Sequence, residues 1–178
     1  MIRILHAADL HLDSPFDALS EEKAALRRRE KRELLRSLAG IRAEQKADLV
    51  LLSGDLFDSD AAWAETEELL RLTLSEMGVP VFIAPGNHDY FAPGSPYDTE
   101  GWGENVHIFT TQELRRVRLP RLNCDVYGAG FTAADMPPLL TDFHVADETV
   151  TNVMVLHGDL QPNSPYNALT TDEIAAGG

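Results

Sequence analysis

One cysteine, Cys124, stands in 178 residues, so no disulfide can form within the chain, and a reducing, cytoplasmic setting is expected. That cysteine reads as a small buried hydrophobe in a strand. No stretch approaches the roughly 18 consecutive apolar residues of a membrane helix. The apolar opening, Met1 to Ala8, is too short for a signal-peptide core. These absences point to a soluble protein with no membrane association. Basic residues are also scarce: 15 Lys and Arg face 29 Asp and Glu, a net charge of −14. Such a balance opposes binding to a phosphate backbone, which demands Lys and Arg.

The basic residues are unevenly spread. Residues 21–46 hold nine of them against five acids, a local +4. Arg27, Arg28, Arg29, Lys31, Arg32 and Arg36 read first as a solvated helix face and second as a contact for DNA or a partner. Acids that bind divalent cations overstate the repulsion, because each ion returns two positive charges.

With 44% hydrophobic and 25% charged residues, the composition is that of a globular protein rather than a disordered one. Residues 1–178 are long enough for one domain with one substantial core. Four short apolar runs each end in a polar cluster. Ile2–Ala8 runs into Asp9-Leu10-His11, and Leu49–Leu52 into Ser53-Gly54-Asp55-Leu56-Phe57-Asp58. Val79–Ala84 runs into Pro85-Gly86-Asn87-His88-Asp89, and Val153–Leu156 into His157-Gly158-Asp159. Continuous rather than alternating apolar runs suit strands buried on both faces.

A first helix is expected after Ser20 as N-cap, with Leu34, Leu35, Leu38 and Ile41 inward. A second, capped by Asp60, should run from about Ala61 to Met77 with Leu69, Leu70 and Thr73 inward, ended by Gly78 and Pro80. Strand, helix, strand, helix, strand implies right-handed βαβ units. Residues 90–105, rich in Gly, Pro and acids, read as a long functional loop. Shorter strands follow at Val106–Phe109, Leu114–Leu119 and Cys124–Gly128.

In an open α/β sheet, ligands bind outside the carboxyl ends of the strands. Those ends carry Asp9, His11, Asp55, Asn87, His88 and His157. A mixed set of carboxylate, imidazole and amide oxygen suits Mn²⁺, Fe²⁺ or Zn²⁺ better than Ca²⁺. Two such ions roughly 3.5–4 Å apart form a recurrent clamp for phosphoryl transfer. Asp-x-His or Gly-Asp alone says little. The ordered set, each piece directly after a buried strand, is specific.

The series Asp9-x-His11, Gly54-Asp55-x-x-Asp58, Gly86-Asn87-His88-Asp89 and His157-Gly158 resembles the calcineurin-like metallophosphoesterase signature. Within that superfamily, the run His6 to Phe16 and Gly54-Asp55-Leu56-Phe57-Asp58 are similar to bacterial DNA-repair exonucleases of the SbcD type, above all their YhaO-like branch. The resemblance implies an α/β/β/α sandwich of two mixed sheets flanked by helices. It also implies two divalent ions, Mn²⁺ first among the candidates. Asp9 and His11 would hold one ion, Asn87 and His157 the other, and Asp55 would bridge them. His88 would act on the scissile phosphate or leaving oxygen, and Asp58 and Asp89 would orient the ligands. DNA as substrate, an SMC-like ATPase as partner and a possible homodimer are implied with it. One motif of the family, Gly-His-x-His, which supplies a further ligand to each metal, is absent; the sequence stops at Glu173–Gly178. The expectation is a C-terminally incomplete fold with weakened metal affinity.

Other candidates read structurally. His6 is expected near the core with a partner, and His107 and His144 on the surface. Trp63 and Trp102 are expected to pack rather than stack on bases. Asp13 fits either support of the first metal or a turn before Pro15. Two other functions stay open: a phosphoesterase for a small molecule or phosphoprotein, which the net charge mildly favours, and a non-catalytic assembly module.

Overall fold

Apolar runs of four or five residues cannot bury both faces as helices; they become strands, and the helices between them cover the sheet. The computed structural model describes residues 1–59 and 62–177. Its order is β1 (Ile4–Ala7), α1 (Glu21–Gln45), β2 (Leu49–Leu52), α2 (Ala64–Ser75), β3 (Val81–Ile83), β4 (Val106–Ile108), β5 (Arg115–Leu119), β6 (Cys124–Gly128), β7 (Thr151–Val155) and α3 (Thr171–Ala176). The first sheet runs β1-β2-β3-β4, all parallel; the second, β5-β6-β7, is mixed.

Two apolar layers follow from the alternation of side chains along the strands. Val50, Leu52, Val81 and Ile83 face one way and meet Leu35 and Leu38 of α1 and Leu70 and Leu74 of α2. Leu49, Leu51 and Phe82 face the other way and meet Cys124, Val126 and Val155 of the second sheet. Helices, sheet, sheet and α3, whose Glu173 and Ile174 line a cleft with Tyr127 and Met154, make the expected α/β/β/α arrangement. Cys124 is buried and unpaired in β6, as expected.

Several details differ from the sequence expectation. Leu34 and Ile41 are 49% and 39% exposed, because the buried stripe of α1 centres on Leu35 and Leu38. In α2 the stripe is Thr66, Leu70 and Leu74, one i, i+4 line. Thr73 is therefore only partly buried. The cap expected at Asp60 and the start at Ala61 lie outside the described residues; Trp63 stands at the N-cap position. Asp13, from the loop after β1, accepts from Trp63 N–H at 2.9 Å and Thr66 Oγ1 at 2.8 Å. An anion there also complements the helix dipole. His6 is exposed, because β1 is an edge strand, and its Nε2 pairs with Ser53 Oγ at 2.9 Å.

His107 and His144 lie on the surface. Trp102 packs against the helix-side core, and the Trp63 ring lies under the guanidinium groups of Arg28 and Arg32. Arg27 and Arg29 pair with Glu30 and Glu33 on the solvated face. Arg28, Lys31 and Arg32 instead turn inward to the loop after β1, and Arg32 also donates to Thr66 Oγ1 of α2.

Candidate metal centre

The loops after β1 and β2 continue the sheet's parallel pairing past its end. Asp9 N–H donates to Gly54 O (3.1 Å), His11 N–H to Asp55 O (2.9 Å) and Leu12 N–H to Leu56 O (2.7 Å). That zipper sets Asp9, His11 and Asp55 side by side. Asp9, His11 and Asp55 all have positive φ, of 54°, 43° and 51°. Non-glycine residues hold that conformation only where surrounding structure over-determines it, and such strain clusters at functional sites.

Asp55 is the hub. It is 4% exposed. Its Oδ1 accepts from His88 N–H at 3.1 Å. Its Oδ2 lies 4.0 Å from His11 Nε2 and 3.5 Å from His157 Nε2. Ligand atoms of Asp9, His11 and Asp55 lie within 4.8 Å of one another. On the other side, His157 Nε2 is 3.0 Å from Asn87 Oδ1. The five residues expected to hold metal thus converge around one carboxylate at the strand ends.

The chemistry of the donors fits a cation. His157 Nδ1 lies 3.0 Å from Ser53 O, and a carbonyl can only accept, so Nδ1 carries the proton. In the neutral ring Nε2 then offers a lone pair, pointed at the oxygens of Asn87 and Asp55. Lone pairs facing one another repel; a cation among them converts repulsion into ligation. His11 Nδ1 is buried 3.0 Å from Asp58 Oδ1 without completing a hydrogen bond.

Asp89 ties the loops together from beneath. Its buried carboxylate accepts from the N–H groups of Asp55, Leu56, Phe57 and Gly86 and from Tyr97 Oη at 2.5 Å. Burial raises its carboxyl above the ordinary value, while the hydrogen bonds from Tyr97, Phe57 and Gly86 pull the other way. Burial, with the Asp89 charge behind it, pushes the Tyr97 phenol well above its ordinary value. Asp58 Oδ1 accepts from Ser14 Oγ at 3.1 Å. Asp58, His11 and His88 also form a second group whose ligand atoms approach within 4.8 Å. His88 stands edge-on to His11, ring centres 5.1 Å apart.

Two glycines are required by contact rather than by turn type alone. A Cβ on Gly86 would strike the Asp55 carboxylate, and one on Gly54, at φ +78°, would meet the His157 ring at 2.6 Å.

Three contributors carry no motif in the sequence. Buried Asn167 donates from Nδ2 to His157 O (2.9 Å) and accepts from Leu139 N–H (3.1 Å), fixing the loop after β7. Tyr97 comes from the long loop, where an aromatic amid polar residues was the available signal. Lys31 Nζ donates to His11 O at 2.8 Å. Burial holds its ammonium below the ordinary value, with the Asp58 charge acting in the opposite sense.

A family profile described as calcineurin-like phosphoesterase matches residues 2–160. The chain belongs to the calcineurin-like phosphoesterase family. It is 30% identical over 190 residues to the metallophosphoesterase YhaO of Bacillus subtilis, across 99% of this chain and 46% of that protein. It is 32% identical over 128 residues to SbcD of the SbcCD nuclease of the same species, across 67% of this chain and 30% of that protein. The chain therefore spans less than half the length of either relative. The family match spans every candidate metal ligand, from Asp9 to His157. Among the described residues, no helix is long and apolar enough to cross a membrane.

Proposed function

We propose that the chain is the catalytic core of a Mn²⁺-dependent phosphodiesterase acting on DNA in repair, in the cytoplasm, beside an SMC-like ATPase. The observation that carries the reading is the approach of both His11 and His157 to one oxygen of a buried carboxylate, Asp55 Oδ2. Asp9, His11 and Asp55 would hold one ion, and Asp55, Asn87 and His157 the other. When bound, the ions supply Lewis-acid polarisation of the phosphate and activation of a water. His88 reaches the substrate rather than the ions, and steadies the scissile phosphate or protonates the leaving oxygen. Asp89 keeps the Asp55 and Gly86 loops in place, and Asp58 orients His11.

The likeness to a nuclease component supports DNA as substrate. The net charge of −14 favours a second reading, a phosphoesterase of the same chemistry acting on a small molecule or phosphoprotein. Mn²⁺-dependent hydrolysis of linear DNA, a generic aryl phosphodiester, a cyclic nucleotide and a phosphopeptide separates them. Turnover of DNA at a rate well above the others supports the proposal. Turnover confined to a small substrate replaces it with the second reading.

A further inference from the structure

The inward stripe of α1 changes character along its length. Ala24, Arg28, Lys31, Leu35 and Leu38 follow one another at spacings of four and three, the interval of a single helix face. Its C-terminal half is leucine and meets the sheet. Its N-terminal half carries cations, and what it meets is backbone. The loop after β1 holds positive φ at His11, Asp13 and Phe16 as well as Asp9. Lys31 Nζ donates to His11 O at 2.8 Å and to Ser14 Oγ at 3.3 Å. Arg28 donates to Pro15 O at 3.0 Å and approaches Ser14 O at 3.5 Å. Arg32, one residue on, stands 3.6 Å from the Asp13 carboxylate. The single Ser14 hydroxyl proton lies between His11 O, at 2.6 Å, and Asp58 Oδ1, at 3.1 Å.

We propose that Lys31 is a positioning residue for His11: its ammonium clamps the His11 carbonyl and so holds the imidazole facing Asp9 and Asp55. The inference rests on the reading of that cluster as a metal centre. The His11 carbonyl accepts within its own turn from Ser14 Oγ and Ser14 N–H, and the half-buried ammonium adds the donor from α1 that a leucine at the same stripe position could not. The Lys31 stem also passes the Phe16 ring, with Nζ 5.1 Å from its centre. Lys31 therefore touches the loop on both sides of its bend. It meets no metal ligand side chain directly and acts through the backbone of one. The effect is local to the Asp9–His11–Asp55 side, since His157 is held by other contacts, with Ser53 and Asn167, and Asn87 meets His157.

The test compares the chain with Lys31→Met, which keeps stem length and removes the charge and donors, and with Lys31→Arg. Mn²⁺ binding is measured by calorimetry, and amide hydrogen exchange is measured without metal. Outer partners of metal ligands typically change affinity about 10–100-fold. Lys31→Met should weaken by that factor the binding event that Asp9→Ala removes, leave the event that His157→Ala removes unchanged, and speed exchange at His11 and Leu12. Lys31→Arg should restore most of the affinity. Should Lys31→Met fail to fold, Lys31→Ala, which also removes the charge and donors, carries the same comparison. Equal weakening of both events would mean general destabilisation and overturn the proposal, as would unchanged affinity with unchanged exchange. A parent chain that binds no Mn²⁺ would sink the metal-centre reading instead. The exchange arm would still decide whether Lys31 fixes the His11 backbone.

Discussion

Nε2 of His157 lies 3.0 Å from Oδ1 of Asn87, while Nδ1 of the same ring faces the Ser53 carbonyl. One nitrogen is thereby committed to the backbone and the other is left facing oxygen. The arrangement predicts that His157→Ala removes one of two Mn²⁺ binding events and leaves the other. His157→Phe, which keeps the ring but not the donor atom, should do the same. Calorimetry with Mn²⁺ in excess checks it; retention of both events by either variant would exclude His157 as a ligand.

Asp89 receives five hydrogen bonds in a fully buried position. Removing a buried acceptor leaves each donor short of a partner, at about 1–3 kcal/mol for a group that finds no water. Asp89→Ala should lower stability by about 4 kcal/mol, in the range of disrupted buried networks. Urea unfolding of metal-free protein measures it. A loss below about 1 kcal/mol would show that water or a loop shift replaces the carboxylate.

How far the sequence could be read follows from the same residues. β2 and β6 lie where their apolar runs and turn signals put them, because burial on both faces leaves a short run no other regular structure. The convergence of Asp9, His11, Asp55, Asn87 and His157 was legible because these residues follow strands directly, and the strand ends decide where side chains go. What pairs at long range was not. Nothing in the neighbourhood of Asp13 tells that its carboxylate meets Trp63 N–H, fifty positions on. His6 needed the knowledge that β1 is an edge strand, and Leu34 and Ile41 needed the azimuth of α1 against the sheet. Asn167 and Lys31 act on backbone carbonyls, and a contact to backbone selects a donor without fixing any sequence spacing.

Tyr97 gives the account its pH dependence. Its folded value is raised above the ordinary 10.0 by burial and by the Asp89 charge. A raised native value means that the unfolded chain loses the phenolic proton first. Stability from Tyr97 is then full below about pH 10 and declines as pH rises from there through the folded value. Tyr97→Phe should be less stable near neutral pH, by about 1 kcal/mol for the lost hydrogen bond, and show a shallower loss of stability above pH 10. Parallel stability curves from pH 8 to 11 would contradict the assignment.

His88 is proposed to work on the substrate, yet it stands within reach of His11 and Asp58 in a group that could itself hold an ion. His88→Ala should retain metal content while turnover falls about 10²–10⁴-fold, the usual span for a lost general acid or base. Metal analysis alongside the rate distinguishes the roles. Loss of an ion in step with activity would make His88 a ligand.

Asp55 bears the central claim, since His11 and His157, one from each half of the site, both approach its Oδ2. Mn²⁺ should be titrated in large excess into the chain and into Asp55→Asn, with circular dichroism confirming that both are folded. The account predicts two ions on the parent and the loss of both events, or a severe weakening of each, in the variant. An Asp55→Asn chain that binds two ions as the parent does, or a folded parent that binds none, would contradict it.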